Sequence, residues 1–141
     1  MRRAYVLASL VPLGILAAAA PAPALKLFIG GFQPGLWQMT PLDSDWQMRA
    51  PNGQAQCLIG PDSLVHAGHS SANADCGHTV VEDAADRATV TYVCKGRGYG
   101  RTSIRREGDG FIVDAQGIDG RDPYEMRGQY KRVGACPDGG R

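Results

Sequence analysis

Arg2 and Arg3 stand in front of an apolar run, Ala4 to Ala20, which is followed by Pro21 and the small-residue stretch Ala22-Pro23-Ala24. A charged segment, an apolar segment and an A-x-A site are the three parts of a secretory signal. This block constrains the fold more than any other, because it sets the redox compartment. A chain that folds outside the reducing cytosol can turn its four cysteines, Cys57, Cys76, Cys94 and Cys136, into disulfides. An uncleaved anchor needs about 20 apolar residues, and the prolines interrupt the run too soon. The first cysteine is Cys57, so none stands at the cleavage point to carry a lipid. Cleavage after Ala24 therefore predicts a periplasmic or secreted chain with no membrane span. It would comprise one domain over residues 25–136 and a frayed tail over 137–141, within the usual domain range of about 100–150 residues. At that size a core can form but disulfides help.

The full chain carries a formal charge of +1, and losing Arg2 and Arg3 leaves it close to neutral. Such a chain has no general attraction to nucleic acid or anionic lipid. It is read as a monomer with no nucleic-acid partner.

Beyond the Gly/Pro-punctuated residues 25–34, helical periodicity is scarce and strand-length runs are many. Gly35 to Thr40 reads as a strand closed by Pro41. Asp45 to Ala50, with Trp46 and Met48 on one face, reads as a second. Pro51-Asn52-Gly53 is a turn, and Gln54 to Ile59 returns as a third strand. Asp62 to Ala67 is the one helix candidate, with Pro61 suited to its start and Gly68 to its end. His78 to Val81 and Thr89 to Val93 are rich in β-formers around a short polar link. A hairpin centred on Ala85 sets Val80 against Val90, Thr79 against Thr91 and His78 against Tyr92. Cys76 then falls opposite Cys94, close enough to bridge. That leaves Cys57 for Cys136, one of three possible connectivities. Thr102 to Glu107 and Gly110 to Ala115 flank a Gly108-Asp109 turn, with Ile104 facing Val113. In the last strand Tyr124, Met126, Gly128 and Tyr130 alternate with Glu125, Arg127, Gln129 and Lys131, so one face is buried and one wet. The expected fold is mostly β: an antiparallel meander of six or seven strands with one short helix and two disulfides. It is expected to curl into a barrel or sandwich so that long edges do not stay open.

Pro34-Gly35-Leu36-Trp37, Cys57 followed by Gly60-Pro61-Asp62, then Cys76, Cys94 and the closing Val133-Gly134-Ala135-Cys136 occur in this order. The order resembles the exported proteobacterial family called domain of unknown function 3617, over about residues 34–136. The resemblance implies export and the β fold and carries no activity. Gly60 departs from the pattern, which more often has a hydroxyl residue capping the helix, and so weakens the helix.

The candidate chemistries each have a plainer explanation. The cysteines are spaced far more widely than the two to four residues typical of paired zinc ligands. His66 and His69 lie three apart and with His78 could form a metal trio. The preferred reading is surface histidines in a polar loop, with His78 beside Tyr92, so that replacing His66 and His69 leaves stability intact. Ser63, Ser70, Ser71 and Ser103 lie in no nucleophile elbow. The pairs Asp83/Asp86 and Asp119/Asp122 are explained by turns. The basic run Lys95 to Arg101 lacks the Lys-Ser/Thr of a phosphate loop and reads as a solvated strand edge. No catalytic residue, cofactor or metal is assigned. The aromatic residues Trp37, Tyr92 and Tyr130 are the candidate wall of an apolar pocket. The expected function is non-enzymatic binding of a small apolar ligand, an envelope component or a protein partner. The alternative is an inhibitor of an exported hydrolase, and a hydrolase comes third. A pocket would favour the first, a protruding loop with an exposed aromatic the second.

Overall fold

The computed structural model describes residues 24–29, 31–43, 55–70 and 75–137. The signal segment, the expected strand Asp45 to Ala50 with Trp46 and Met48, and the turn at 51–53 lie outside the described residues. A 3-10 turn, Lys26–Phe28, leads to β1 (Gly35–Pro41), β2 (Ala55–Leu58), the one-turn helix α1 (Asp62–Val65), β3 (Cys76–Asp83), β4 (Arg87–Cys94), β5 (Gly98–Glu107), β6 (Gly110–Asp119) and β7 (Asp122–Gly134). The seven strands form one sheet in the order β2-β1-β7-β6-β5-β4-β3, every neighbouring pair antiparallel.

The expected barrel does not form. β2 and β3 end the sheet on opposite sides and do not pair. Closure is replaced by a cover. The apolar face of the sheet is packed by Leu25, Leu27 and Phe28 from the 3-10 turn and by Leu64 and Val65 from α1. Residues 25–28, which show no periodicity, thus supply core. Trp37 is 2 % exposed. Its ring stacks between Phe32 (5.4 Å) and Phe111 (5.7 Å), and its Nε1–H donates to the Gln33 carbonyl at 3.0 Å. Such burial stabilises by roughly 1.5–3 kcal/mol per large apolar side chain.

The hairpin register of β3 and β4 is the one the sequence predicts, with Cys76 against Cys94 and His78 against Tyr92. One residue, Val81, is bulged out between Val80 and Glu82. Both expected disulfides are present, Cys57–Cys136 and Cys76–Cys94. The first joins β2 to the segment after β7, where Leu36 pairs with both Cys57 and Gly134. Helix α1 stops two residues short of expectation. No side chain caps its start, and the His66 side chain turns back onto the Asp62 carbonyl. Gly68 then adopts the left-handed φ of 79° that ends the turn.

Candidate functional site

Antiparallel pairing lines up residues across β4, β5, β6 and β7 in rows, and every second row faces away from the core. The outward row nearest the β4–β5 turn is Val93–Tyr99–Ile118–Pro123. Val93 and Tyr99 are 66 % and 55 % exposed. The next outward row is Thr91–Arg101–Gln116–Glu125, and the next Thr89–Ser103–Asp114–Arg127. The first two rows line an open groove of about 650 Å³ with an apolar floor at one end. A second hollow of about 340 Å³ shares Arg101, Gln116 and Glu125 and continues toward Asp114 and Arg127. Asp114 and Arg127 are ion-paired across strands at 3.2 Å. Among the described residues Arg101 makes no ion pair. The combined surface is apolar at one end and polar toward the other. Its size lies in the range of small-molecule sites, roughly 300–1,000 Å³.

The covered face carries a polar cluster set into the apolar core. Gly100 and Gly117 leave space beneath which the Tyr92 and Tyr124 hydroxyls meet at 2.6 Å. Burial pushes both phenols above their usual range. The rings of His66 and His69 stand edge-on to Tyr92 at 4.6 and 5.5 Å. His78 Nε2 lies 3.0 Å from His66 Nε2. Burial holds His66 and His78 below the usual imidazole value. His69 Nε2 is 3.8 Å from Asp119. Desolvation pushes Asp119 upward, but hydrogen bonds from the Ser70 hydroxyl and backbone N–H outweigh it and hold the carboxyl below its usual value.

The histidines are therefore not surface residues: His66 and His69 are 5 % and 6 % exposed. α1 brings His66 under the sheet because Leu64 and Val65 must point there too. Among the described residues no group of three or more His, Cys, Asp or Glu side chains is arranged to hold a metal ion, so the trio of His66, His69 and His78 is not assembled. Asp119 and Asp122 are register partners across the β6–β7 turn, and the carboxylates of Asp83 and Asp119 have partners of their own. Asp83 accepts from the Lys26 N–H, and Asp119 is occupied by Ser70. Ser103 bonds Thr89. The basic run is not a sheet edge, since β5 lies between β4 and β6.

Trp37, Tyr92 and Tyr130 do not meet. Trp37 is in the core, Tyr130 packs against it, and Tyr92 belongs to the histidine cluster four strand positions from β1. Of the three, Tyr92 alone touches the groove. The residues the sequence reading missed are Val93, Tyr99, Ile118 and Pro123. The signal was available in part: with the β4 register fixed, Val93 must face opposite to Tyr92.

The described residues define a small antiparallel β protein with two disulfides. No described helix is long and apolar enough to cross a membrane. The family described as "Protein of unknown function (DUF3617)" matches residues 32–136, and the chain belongs to that family. No curated protein and no solved structure matches it.

Proposed function

We propose that this is an exported, non-enzymatic binding protein whose outward groove takes a small, mostly apolar ligand with one polar end. The observation that carries the reading is the row Val93–Tyr99–Ile118–Pro123, four apolar side chains side by side and bordered by the polar rows Thr91–Arg101–Gln116–Glu125 and Thr89–Ser103–Asp114–Arg127. Isolated exposed apolar residues are ordinary, whereas contiguous ones rimmed by polar groups mark binding surfaces. Arg101, Gln116 and Glu125 form the polar margin that would orient the ligand. Export is supported by the N-terminal pattern and is compatible with two disulfides. The inhibitor reading calls for an aromatic on a protruding loop. Tyr99 stands instead inside β5.

The test uses N-phenyl-1-naphthylamine, whose fluorescence rises in apolar sites. Wild-type protein should bind it saturably, and Val93→Asp and Ile118→Asp should each weaken binding at least about tenfold, the equivalent of about 1.4 kcal/mol. Unchanged binding in both variants, with near-UV circular dichroism intact, would reject the groove.

A further inference from the structure

We propose that His66 and His78, with the carboxylate of Asp62, form a binding site for a divalent transition-metal ion of the zinc or nickel type. The site lies on the covered side of the sheet, where α1 meets edge strand β3, and is independent of the groove.

Three features carry it. The first is spacing. The two Nε2 atoms are 3.0 Å apart. Two imidazole nitrogens at about 2.0–2.1 Å from one ion are about 2.9 Å apart at a right angle and about 3.4 Å apart in a tetrahedral site. The pair is thus already within a few tenths of an ångström of chelating distance.

The second is orientation. His66 Nδ1 lies 3.1 Å from the Asp62 carbonyl. A carbonyl only accepts, so Nδ1 carries the proton and Nε2 the lone pair. Metal-ligating histidines are held in this way, by donating the other ring N–H to a carbonyl or carboxylate. In the metal-free protein His78 Nε2–H donates to that lone pair. On binding, His78 moves its proton to Nδ1 through solvent and presents its own Nε2 lone pair, so the imidazole stays neutral and no oxidant or reductant is involved.

The third is the supply of a further ligand and of access. Asp62 lies four residues before His66, on the same face of α1. Its side chain is exposed, and among the described residues it makes no hydrogen bond or ion pair. Its negative charge acts on both imidazoles. No three ligands converge as the side chains stand, so Asp62 must rotate inward. His78 is partly exposed, which gives the ion an entry path and leaves room for water ligands. The Tyr92 ring backs the pair and keeps water off its far side. His69 is engaged with Asp119 instead. Imidazole nitrogen with carboxylate oxygen suits zinc, nickel and copper better than magnesium or calcium.

Calorimetric titration of chelator-treated protein with zinc chloride and nickel chloride tests this. One ion should bind per chain at pH 7.5 and binding should weaken at pH 5.5, where imidazoles protonate. His78→Ala should lower affinity at least about tenfold, by analogy with the loss seen even for outer-shell partners. Asp62→Asn should lower it less. Both positions are at least partly exposed, so these variants fold even if a His66 variant does not. Nitrogen-15 spectra should show the His66 and His78 resonances moving together on adding zinc. No binding at millimolar ion, or equal binding by wild type and His78→Ala, would overturn the site. Loss of binding in His69→Ala but not in His78→Ala would overturn it as well.

Discussion

Gly100→Ala is the sharpest test of how the sheet is packed. A methyl group built at Gly100 would collide with the hydroxyls of Tyr92 and Tyr124 and with the Tyr92 ring carbon that bears one of them. The backbone at Gly100 is not left-handed, so the effect is purely steric. Overpacking of this kind destabilises by about 1–3 kcal/mol. Separating the two hydroxyls, which share a 2.6 Å hydrogen bond, adds about 1 kcal/mol. Alanine restricts the unfolded chain and returns about 0.4–1 kcal/mol. The net expectation is a loss of about 1–3.5 kcal/mol. Gly77→Ala is the control: it stands in β3 with nothing within 4 Å of the added carbon, and should be neutral or slightly stabilising. Guanidinium denaturation with the disulfides intact, followed by far-UV circular dichroism, measures both. Adding Tyr92→Phe and Tyr124→Phe to Gly100→Ala removes the colliding oxygens and should recover about 1 kcal/mol or more by relieving the overpacking. If Gly100→Ala and Gly77→Ala unfold within about 0.5 kcal/mol of each other, the usual scatter of surface substitutions, the packing argument is wrong.

Further expectations can be measured on the same protein. Non-reduced peptide mapping should yield Cys57–Cys136 and Cys76–Cys94 peptides. Replacing the first pair by alanine should lower stability by up to about 4–5 kcal/mol in the loop-entropy estimate, since the bridge spans 79 residues. Trp37→Ala should destabilise by roughly 3–5 kcal/mol, and near-normal accumulation of a folded variant would contradict its place in the core. Because His66 and His78 are held below 6.5 in the fold, the unfolded chain takes up their protons first. Stability should be fully present above about pH 6.5 and fall as the pH drops below it. The half-buried Tyr124 and Tyr130 act at the other end: Tyr130 is pushed up to about 12, so stability should fall again as the pH rises above 10. A flat denaturation midpoint between pH 7 and pH 5 would count against buried neutral histidines. Mass analysis of periplasmic protein should give an N-terminus at Leu25, and a full-length chain in the membrane fraction would refute processing.

The β3–β4 register was legible because two β-branched runs and two cysteines fit only one alignment well, and the alternation in β7 fixed its buried face. The open sheet was not legible. Closure was inferred from the need to hide edges, but the cover comes from Leu25, Leu27 and Phe28, a segment too short to show any period. The first four residues of β5 and the last four of β6 fall outside the expected strands Thr102 to Glu107 and Gly110 to Ala115 for a related reason. Glycines at 98, 100 and 117 break the side-chain alternation that marks a strand, yet at 100 and 117 glycine is present so that tyrosines can lie against the strand. His66 and His69 were placed on the surface because their segment is polar and short. Their burial follows from Leu64 and Val65, which pull α1 onto the sheet.

The pairing of β1 with β7 sets an order of assembly. β3 to β7 can zip up from neighbouring hairpins, each closing a short loop. β1 cannot join until residues 128–134 are present, because Trp37 pairs with Arg132 and Met39 with Tyr130. Contacts so distant in sequence form slowly, since their loop entropy must be met before they stabilise anything. As the chain is synthesised, β1 appears first and finds its place last. Through that interval the indole of Trp37 has no β7 beside it, and the Cys57–Cys136 bond can form only when the wait is over.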